Sequence, residues 1–114
     1  MSTFPPTQTQ PRTSDQRVWL RYPSRRAVSC RLSEKNEAAF WPAQACDVSR
    51  GGIKLLSIEK LQRGSLLTIR LRDPESTVKA QVRYVLPSPE GKWMAGCAFL
   101  QELSEKELQD WLQE

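Results

Sequence analysis

The chain has 114 residues, 39% of them hydrophobic and 26% charged, with a net charge of +4, so one globular domain with its own core is expected. It contains no histidine, which argues against histidine-dependent catalysis. Its cysteines (Cys30, Cys46 and Cys97) form no C-x-x-C pair, which argues against a zinc site and predicts reduced, buried thiols. No apolar run is long enough to span a bilayer and no secretory signal is visible, so we expect a soluble cytoplasmic protein with no metal or cofactor.

The positive charge is concentrated at the N-terminal end. Residues 1–31 contain six arginines and one acidic residue, a net charge of +5. The other 83 residues contain 11 basic and 12 acidic residues, a net charge of −1. This asymmetry predicts an anionic partner for the N-terminal segment. The use of arginine favours planar recognition by paired hydrogen bonds or stacking.

The chain begins with two segments that precede the predicted strands. Residues 1–16 are rich in Pro, Thr, Gln and Ser, which predicts a disordered tail. Residues 17–26 form a basic lead-in that contains R-x-x-x-R in two registers, Arg17/Arg21 and Arg21/Arg25. We favour the second register because it lies directly before the first strand. We expect this lead-in to be mobile without ligand and to dock onto the domain part of the time.

Three strands are predicted between residues 27 and 56. Val28, Cys30 and Leu32 alternate with polar residues, which is typical of a half-buried strand over residues 27–33. The second strand is predicted over residues 38–46, with Pro42 at an edge or a bulge. A tight turn at residues 47–52 then leads to the third strand at residues 53–56.

Three further strands are predicted at residues 65–72, 77–86 and 93–100, separated by turns at 73–76 and 87–91. The fifth of the six strands alternates with great regularity, and its apolar residues on one side are Val78, Ala80, Val82, Tyr84 and Leu86. In the sixth strand Trp93 is predicted to belong to the core. Six short strands at this spacing predict an antiparallel barrel or sandwich.

The pattern changes to a helix after residue 103. Ser104 and Glu107 have the S-x-x-E spacing of a capping box. Leu108, Trp111 and Leu112 then form an apolar stripe at helical spacing. We expect this C-terminal helix to lay its stripe on the barrel, so that residues 27–114 form one domain.

Two motifs carry a family resemblance. Arg21-x-x-x-Arg25 is followed, after a strand, by Asp47-x-Ser49-x-x-Gly52, and the chain ends with Met94 to Leu100, a polar link and a capped helix. In these features residues 21–114 resemble the PilZ domain family, the bacterial receptors for cyclic di-GMP. The resemblance implies an all-β fold with a C-terminal helix, namely a six-stranded antiparallel β-barrel.

The resemblance also implies a ligand site without catalysis. Arg21 and Arg25 are expected to grip phosphates and to stack on or bond guanine, while Asp47 and Ser49 offer acceptors and a hydroxyl to the ligand. Gly52 is expected to allow the turn to approach the ligand closely. Turn chemistry is the alternative role for Asp47 and Ser49, and a positive φ is an alternative reason for one glycine of the turn.

Further arginines lie near the motifs. Arg17 and Arg26 are possible additional ligand contacts, and so is Arg50, although its position favours an exposed turn residue. Trp19 is interpreted as a docking or core residue rather than a stacking partner. Arg83 lies on a polar strand face and is given low weight as a residue bordering the site.

The function that these patterns favour is a cyclic di-GMP receptor or adaptor that is not an enzyme. Its partners are expected to be cyclic di-GMP and an unidentified protein effector, and the resemblance implies an output in motility, pilus function, exopolysaccharide production or virulence. One alternative is a PilZ-like adaptor that binds no nucleotide. A single-stranded nucleic-acid binder is the weaker alternative, because residues 32–114, which hold most of the barrel, have a net charge of −1.

Overall fold

The computed structural model describes residues 19–34, 39–72 and 75–112. The predicted tail, residues 1–16, and Arg17 lie outside this range. The described residues form these elements: β1 (Tyr22–Pro23), β2 (Ala27–Leu32), β3 (Trp41–Val48), β4 (Gly52–Ser57), β5 (Leu66–Arg72), β6 (Glu75–Ser88), a 3-10 turn (Pro89–Gly91), β7 (Lys92–Phe99) and α1 (Glu105–Leu112).

Strands β2 to β7 close into a barrel. Their order is β3-β2-β5-β6-β7-β4, and β4 pairs again with β3 to complete the circle. Every pairing is antiparallel. The short strand β1 lies outside this circle and adds to the end of β3, with Tyr22 opposite Val48. The predicted six-stranded antiparallel barrel is therefore confirmed, with β1 as an addition.

The barrel interior is filled by the alternating apolar residues of the strands. Leu67, Ile69 and Leu71 of β5 are fully buried. Cys30 of β2 and Cys97 of β7 are also buried as free thiols, and burial raises the pKa of each to about 12. These two cysteines are neutral core residues, as predicted, whereas Cys46 is only half-buried.

Helix α1 is held by the cap and the stripe predicted from the sequence. The Ser104 amide donates to Glu107 Oε1 at 2.8 Å, and the Glu107 amide donates to Ser104 Oγ at 3.1 Å. Both halves of the capping box are thus formed. Trp111 is completely buried, and its Nε1 donates to Ser76 Oγ at 3.3 Å, which anchors the helix beside the start of β6. Within the described residues no helix has the length and apolar character to cross a bilayer.

Several predicted boundaries are wrong, and most of the errors concern strand ends. Strand β6 occupies Glu75–Ser88, which includes parts of both predicted flanking turns. It pairs with β5 from Glu75 onwards and with β7 as far as the Ser88 and Lys92 pair. Strand β3 begins later than predicted and continues through Asp47 and Val48, which pair with β4. Trp93 is half-buried outside the core, and the Lys60 ammonium lies 4.7 Å from its ring centroid.

Candidate functional site

The turn between β3 and β4 is organised by Ser49. Its side chain is buried, and its Oγ accepts hydrogen bonds from the amides of Gly51 at 3.2 Å and Gly52 at 3.1 Å. The Ser49 amide donates to the Gly52 carbonyl at 2.8 Å. The S-x-x-G spacing therefore produces a closed turn with the hydroxyl inside it. Ser49 thus has the turn role that its residue type favours.

Glycine is required at both positions of the turn because atoms of other segments lie close to the backbone there, and not because the backbone conformation demands it. Neither has a positive φ, so the interpretation that invoked one is wrong. A Cβ at Gly52 would lie 2.5 Å from the Cys97 carbonyl oxygen of strand β7, and one at Gly51 would lie 2.6 Å from Trp19 Cδ1. The turn can therefore sit against β7 and under the Trp19 ring only without side chains at these positions.

An ion pair brings the two sequence motifs together. Arg21 Nη1 lies 2.8 Å from Asp47 Oδ1, and Lys54 Nζ lies 3.6 Å from Asp47 Oδ2. Strand β1 sets this geometry, because the pairing of Tyr22 with Val48 holds Arg21 over the end of β3. The Arg21 side chain remains 56% exposed, against 20% for Asp47. A large part of the guanidinium is therefore accessible to a ligand.

The other predicted arginines are arranged differently. Arg25 is exposed, and no hydrogen bond or ion pair joins it to another residue in the described part of the chain. Arg26 Nη1 instead donates to the Asp110 carbonyl of α1 at 3.4 Å. Of the predicted ligand set, the structure brings Arg21 together with Asp47, Ser49 and Gly52, while Arg26 bonds to α1 and no bond joins Arg25 to them.

Arg50 is not the exposed turn residue that its position favours. Its Nε donates to the Leu103 carbonyl at 2.8 Å, and its own carbonyl accepts from the Leu103 amide at 2.9 Å. The guanidinium also lies 4.6 Å from the Trp19 ring centroid. Arg50 thus connects the turn to the segment before α1 and supports Trp19 in place.

A cleft of about 620 Å³ lies beside the turn on the outside of the barrel. One wall consists of Trp19 and Arg21 with Ser49, Gly51 and Gly52 of the turn. The other wall comes from the β6–β7 hairpin and consists of Arg83, Tyr84, Gly96, Cys97 and Ala98. This volume lies within the range of about 300–1,000 Å³ that is typical of small-molecule sites.

The sequence interpretation missed part of this cleft. The sequence alone does not assign Tyr84 or Gly96 to a site, and it places Arg83 on a polar strand face. Trp19 docks on the turn, as predicted, but it also lines the cleft. One signal was available for Tyr84, since Val85 places an apolar β-branched residue on the strand face interpreted as polar. No comparable signal in the sequence identifies Trp19, whose position depends on its contacts with Gly51 and Arg50.

The chemistry of the cleft suits a planar, anionic ligand. Arg21 and Arg83 provide guanidinium groups, which match phosphate oxygens with pairs of donors. Trp19 and Tyr84 provide aromatic surfaces, and Asp47 provides a carboxylate beside Arg21. In the described residues no cluster of Cys, Asp and Glu is arranged to hold a metal ion.

Comparison with known proteins identifies the family. Residues 11–114 match the model of the PilZ domain, and the chain belongs to the PilZ domain family. This is a non-catalytic, cyclic di-GMP-binding family, in agreement with the prediction that the chain is not an enzyme. No curated protein matches the chain.

Solved structures share the fold. The Bacillus subtilis inhibitor of motility (MotI/DgrA) superimposes with a TM-score of 0.61 at 21% identity, over 83% of this chain and 46% of that one. The complex of K. pneumonia MrkH with c-di-GMP gives a TM-score of 0.57 at 19% identity, over 81% of this chain and 48% of MrkH. MrkH in its apo state gives 0.53 at 19% identity, over 89% and 49%. This chain thus spans about half the length of the structures it matches.

Proposed function

We propose that this chain is a non-catalytic receptor for cyclic di-GMP that couples this second messenger to a protein partner. The observation that carries the proposal is the Arg21–Asp47 ion pair beside the Ser49–Gly52 turn, at the mouth of a cleft with aromatic and cationic walls. Membership in the PilZ family and the fold shared with the c-di-GMP complex of MrkH support the same ligand.

The residues of the cleft have complementary tasks in this proposal. The Arg21 guanidinium presents paired donors to a phosphate and a flat face to a guanine. The Asp47 carboxylate accepts from the two N–H groups on the Watson–Crick edge of guanine. Ser49 keeps the turn closed through the amides of Gly51 and Gly52. Gly52, without a side chain, lets the ligand approach the turn.

To bind the ligand, Arg21 and Asp47 must form bonds to phosphate and guanine in addition to their ion pair or in place of it. The pair is largely exposed on its arginine side, and exposed ion pairs contribute at most about 1 kcal/mol to stability. A hydrogen bond to a charged group contributes about 1.5–3 kcal/mol. Exchange of the ion pair for bonds to phosphate and guanine is therefore favourable.

Arg25 enters the proposal as a second phosphate contact. Its side chain closes over the ligand together with that of Arg21, and these two arginines form the clamp. Its side chain has no partner among the described residues, whereas the backbone on either side is held by the bonds from Ser24 to Cys46 and from Ala45 to Arg26. The side chain can therefore turn towards a ligand phosphate without movement of the backbone. Closure of Arg21 and Arg25 over the ligand would rearrange the side chains of the lead-in, which β1 already holds against the barrel. That change alters the surface offered to a protein partner.

Calorimetric titration with cyclic di-GMP tests the proposal. The wild type is expected to bind at concentrations on the order of 50 µM or below. The Arg21→Ala/Arg25→Ala variant is expected to bind at least about a hundredfold more weakly, because it loses two charged donors. Arg72→Ala is the control for the loss of positive charge, since it removes one exposed arginine of β5 that does not line the cleft.

The outcomes separate the parts of the proposal. Absence of heat with wild-type protein contradicts the receptor function and favours an adaptor that binds no nucleotide. Equal affinity in the double variant and the wild type contradicts the assignment of Arg21 and Arg25. Loss of affinity in Arg72→Ala as well would mean that the arginines act through total charge rather than through the clamp.

A further inference from the structure

Two β-bulges flank the cleft, one in each wall. The β3–β4 pairing shifts register between Ala45 and Asp47, next to the ion pair with Arg21. The β6–β7 pairing shifts register between Val82 and Tyr84. Bulges re-aim side chains and are frequent beside functional sites. The second bulge lies in a part of the cleft to which the sequence motifs assign no role.

The bulge in β6 changes which side chains face outwards. Val82 is buried in the core and Val85 packs against it, so two residues instead of one lie between these inward positions. Arg83 and Tyr84 are consequently both exposed, and both line the cleft. Unbroken alternation after Val82 would have directed Tyr84 into the barrel.

Tyr84 lies against a glycine of the neighbouring strand. A Cβ at Gly96 would overlap Cε2, Cζ and the hydroxyl of the Tyr84 ring, so the ring occupies the space that a side chain would need. Strand pairing aligns Asp47, Lys54, Gly96 and Tyr84 in one row across β3, β4, β7 and β6. The ring, which is 40% exposed, is thus at the opposite end of this row from Asp47.

We infer that Tyr84 and Arg83 are ligand-contact residues, Tyr84 as a stacking surface for a purine base and Arg83 as a phosphate contact. The inference rests on the proposed function and extends its site to the β6–β7 wall. A cyclic purine dinucleotide has two bases and two phosphates. The motif residues Arg21 and Asp47 can contact one base and one phosphate, and they lie only on the side of the β3–β4 turn. The Tyr84 ring and the Arg83 guanidinium supply the complementary pair on the other side.

A second cleft of about 820 Å³ adjoins the first and provides controls. It shares Arg83 and Tyr84 with the ligand cleft, but Lys60 and Arg63 line only this second one. Arg63 is exposed, so its removal lowers the local positive charge without touching the ligand cleft. Leu86 is an exposed apolar residue of the same strand that lines neither cleft, and it is the control for Tyr84.

The test is a calorimetric titration of the full chain with cyclic di-GMP. Tyr84→Ala and Arg83→Ala are each expected to weaken binding by about tenfold or more. Tyr84→Phe, which keeps the ring, is expected to recover most of the affinity lost in Tyr84→Leu, which keeps only apolar volume. Arg63→Ala and Leu86→Ala are expected to bind within about twofold of the wild type, because neither residue lines the ligand cleft.

The results distinguish this inference from the proposed function. Wild-type protein that binds, together with Tyr84→Ala and Arg83→Ala variants that bind equally well, overturns the inference and leaves the receptor function intact. Absence of wild-type binding overturns both. If Tyr84→Ala fails to fold by circular dichroism, the comparison of Tyr84→Phe with Tyr84→Leu decides: equal affinity in these two variants overturns the stacking role.

Discussion

At the scale of single residues, the signature turn depends on two glycines that meet different kinds of neighbour. The missing side chain of Gly52 leaves room for a backbone carbonyl of strand β7, which cannot rotate away. The missing side chain of Gly51 leaves room for the Trp19 ring, which is a side chain and can rotate away. Gly52 is therefore a requirement of the barrel itself, whereas Gly51 is a requirement of the position of Trp19.

This difference predicts unequal effects of alanine at the two positions. Gly52→Ala is expected to lower the free energy of unfolding by about 1–3 kcal/mol, because the new methyl group forces β4 and β7 apart. Gly51→Ala is expected to have a clearly smaller effect on stability, since Trp19 yields. Urea denaturation of both variants at neutral pH measures the difference. Equal losses of stability would contradict the distinction between a rigid and a movable neighbour.

At the scale of secondary structure elements, Arg50 connects the ligand turn to helix α1. Its bonds with Leu103 involve both its side chain and its backbone, and Leu103 is buried directly before the capped start of the helix. The same guanidinium supports the Trp19 ring. One side chain therefore touches the lead-in, the turn and the start of the helix. A change in the turn on ligand binding has a direct physical route to α1.

Replacement of Arg50 tests this connection. Arg50→Met keeps the aliphatic length but leaves the Leu103 carbonyl without its side-chain donor, which is expected to cost about 1–2 kcal/mol of stability. Hydrogen exchange is expected to accelerate both in the lead-in near Trp19 and in α1. The control is Arg63→Met, an exposed arginine for which no such bond is present. Faster exchange in only one of the two segments would show that they are not coupled through Arg50.

At the scale of the whole molecule, the sequence predicts the repeating features well and the irregular ones poorly. Alternation and the capping box depend on near neighbours, and they correctly predicted six barrel strands and α1. The bulge at Tyr84 is indicated only by the apolar Val85 on the polar face, because the apolar alternation continues through Val82, Tyr84 and Leu86 without a break. The contacts of Arg50 and Trp19 are likewise formed between distant segments, and no local pattern encodes them.

The closed barrel also makes a prediction about alkaline stability. Burial raises the pKa of Cys30 from 9.0 to about 12, with a smaller contribution from Cys97, and burial alone raises the pKa of Cys97 to about 12. Above about pH 9 the unfolded chain loses these thiol protons while the folded chain keeps them. The unfolded state then binds fewer protons, so the thiols' contribution to stability is complete below about pH 9 and declines as the pH rises towards 12.

We therefore expect the free energy of unfolding, measured in urea with a reducing agent, to fall by at least about 1 kcal/mol between about pH 8 and about pH 10.5. The Cys30→Val/Cys97→Val variant should lose much of this decline, since valine is apolar and has no ionisable proton. Cys46→Ser is the control. Burial and the neighbouring Asp47 charge raise the pKa of the Cys46 thiol too, but this thiol is only half-buried, so its removal should preserve most of the decline. A double variant that declines as steeply as the wild type would assign the alkaline effect to other groups and contradict the role of the buried thiols.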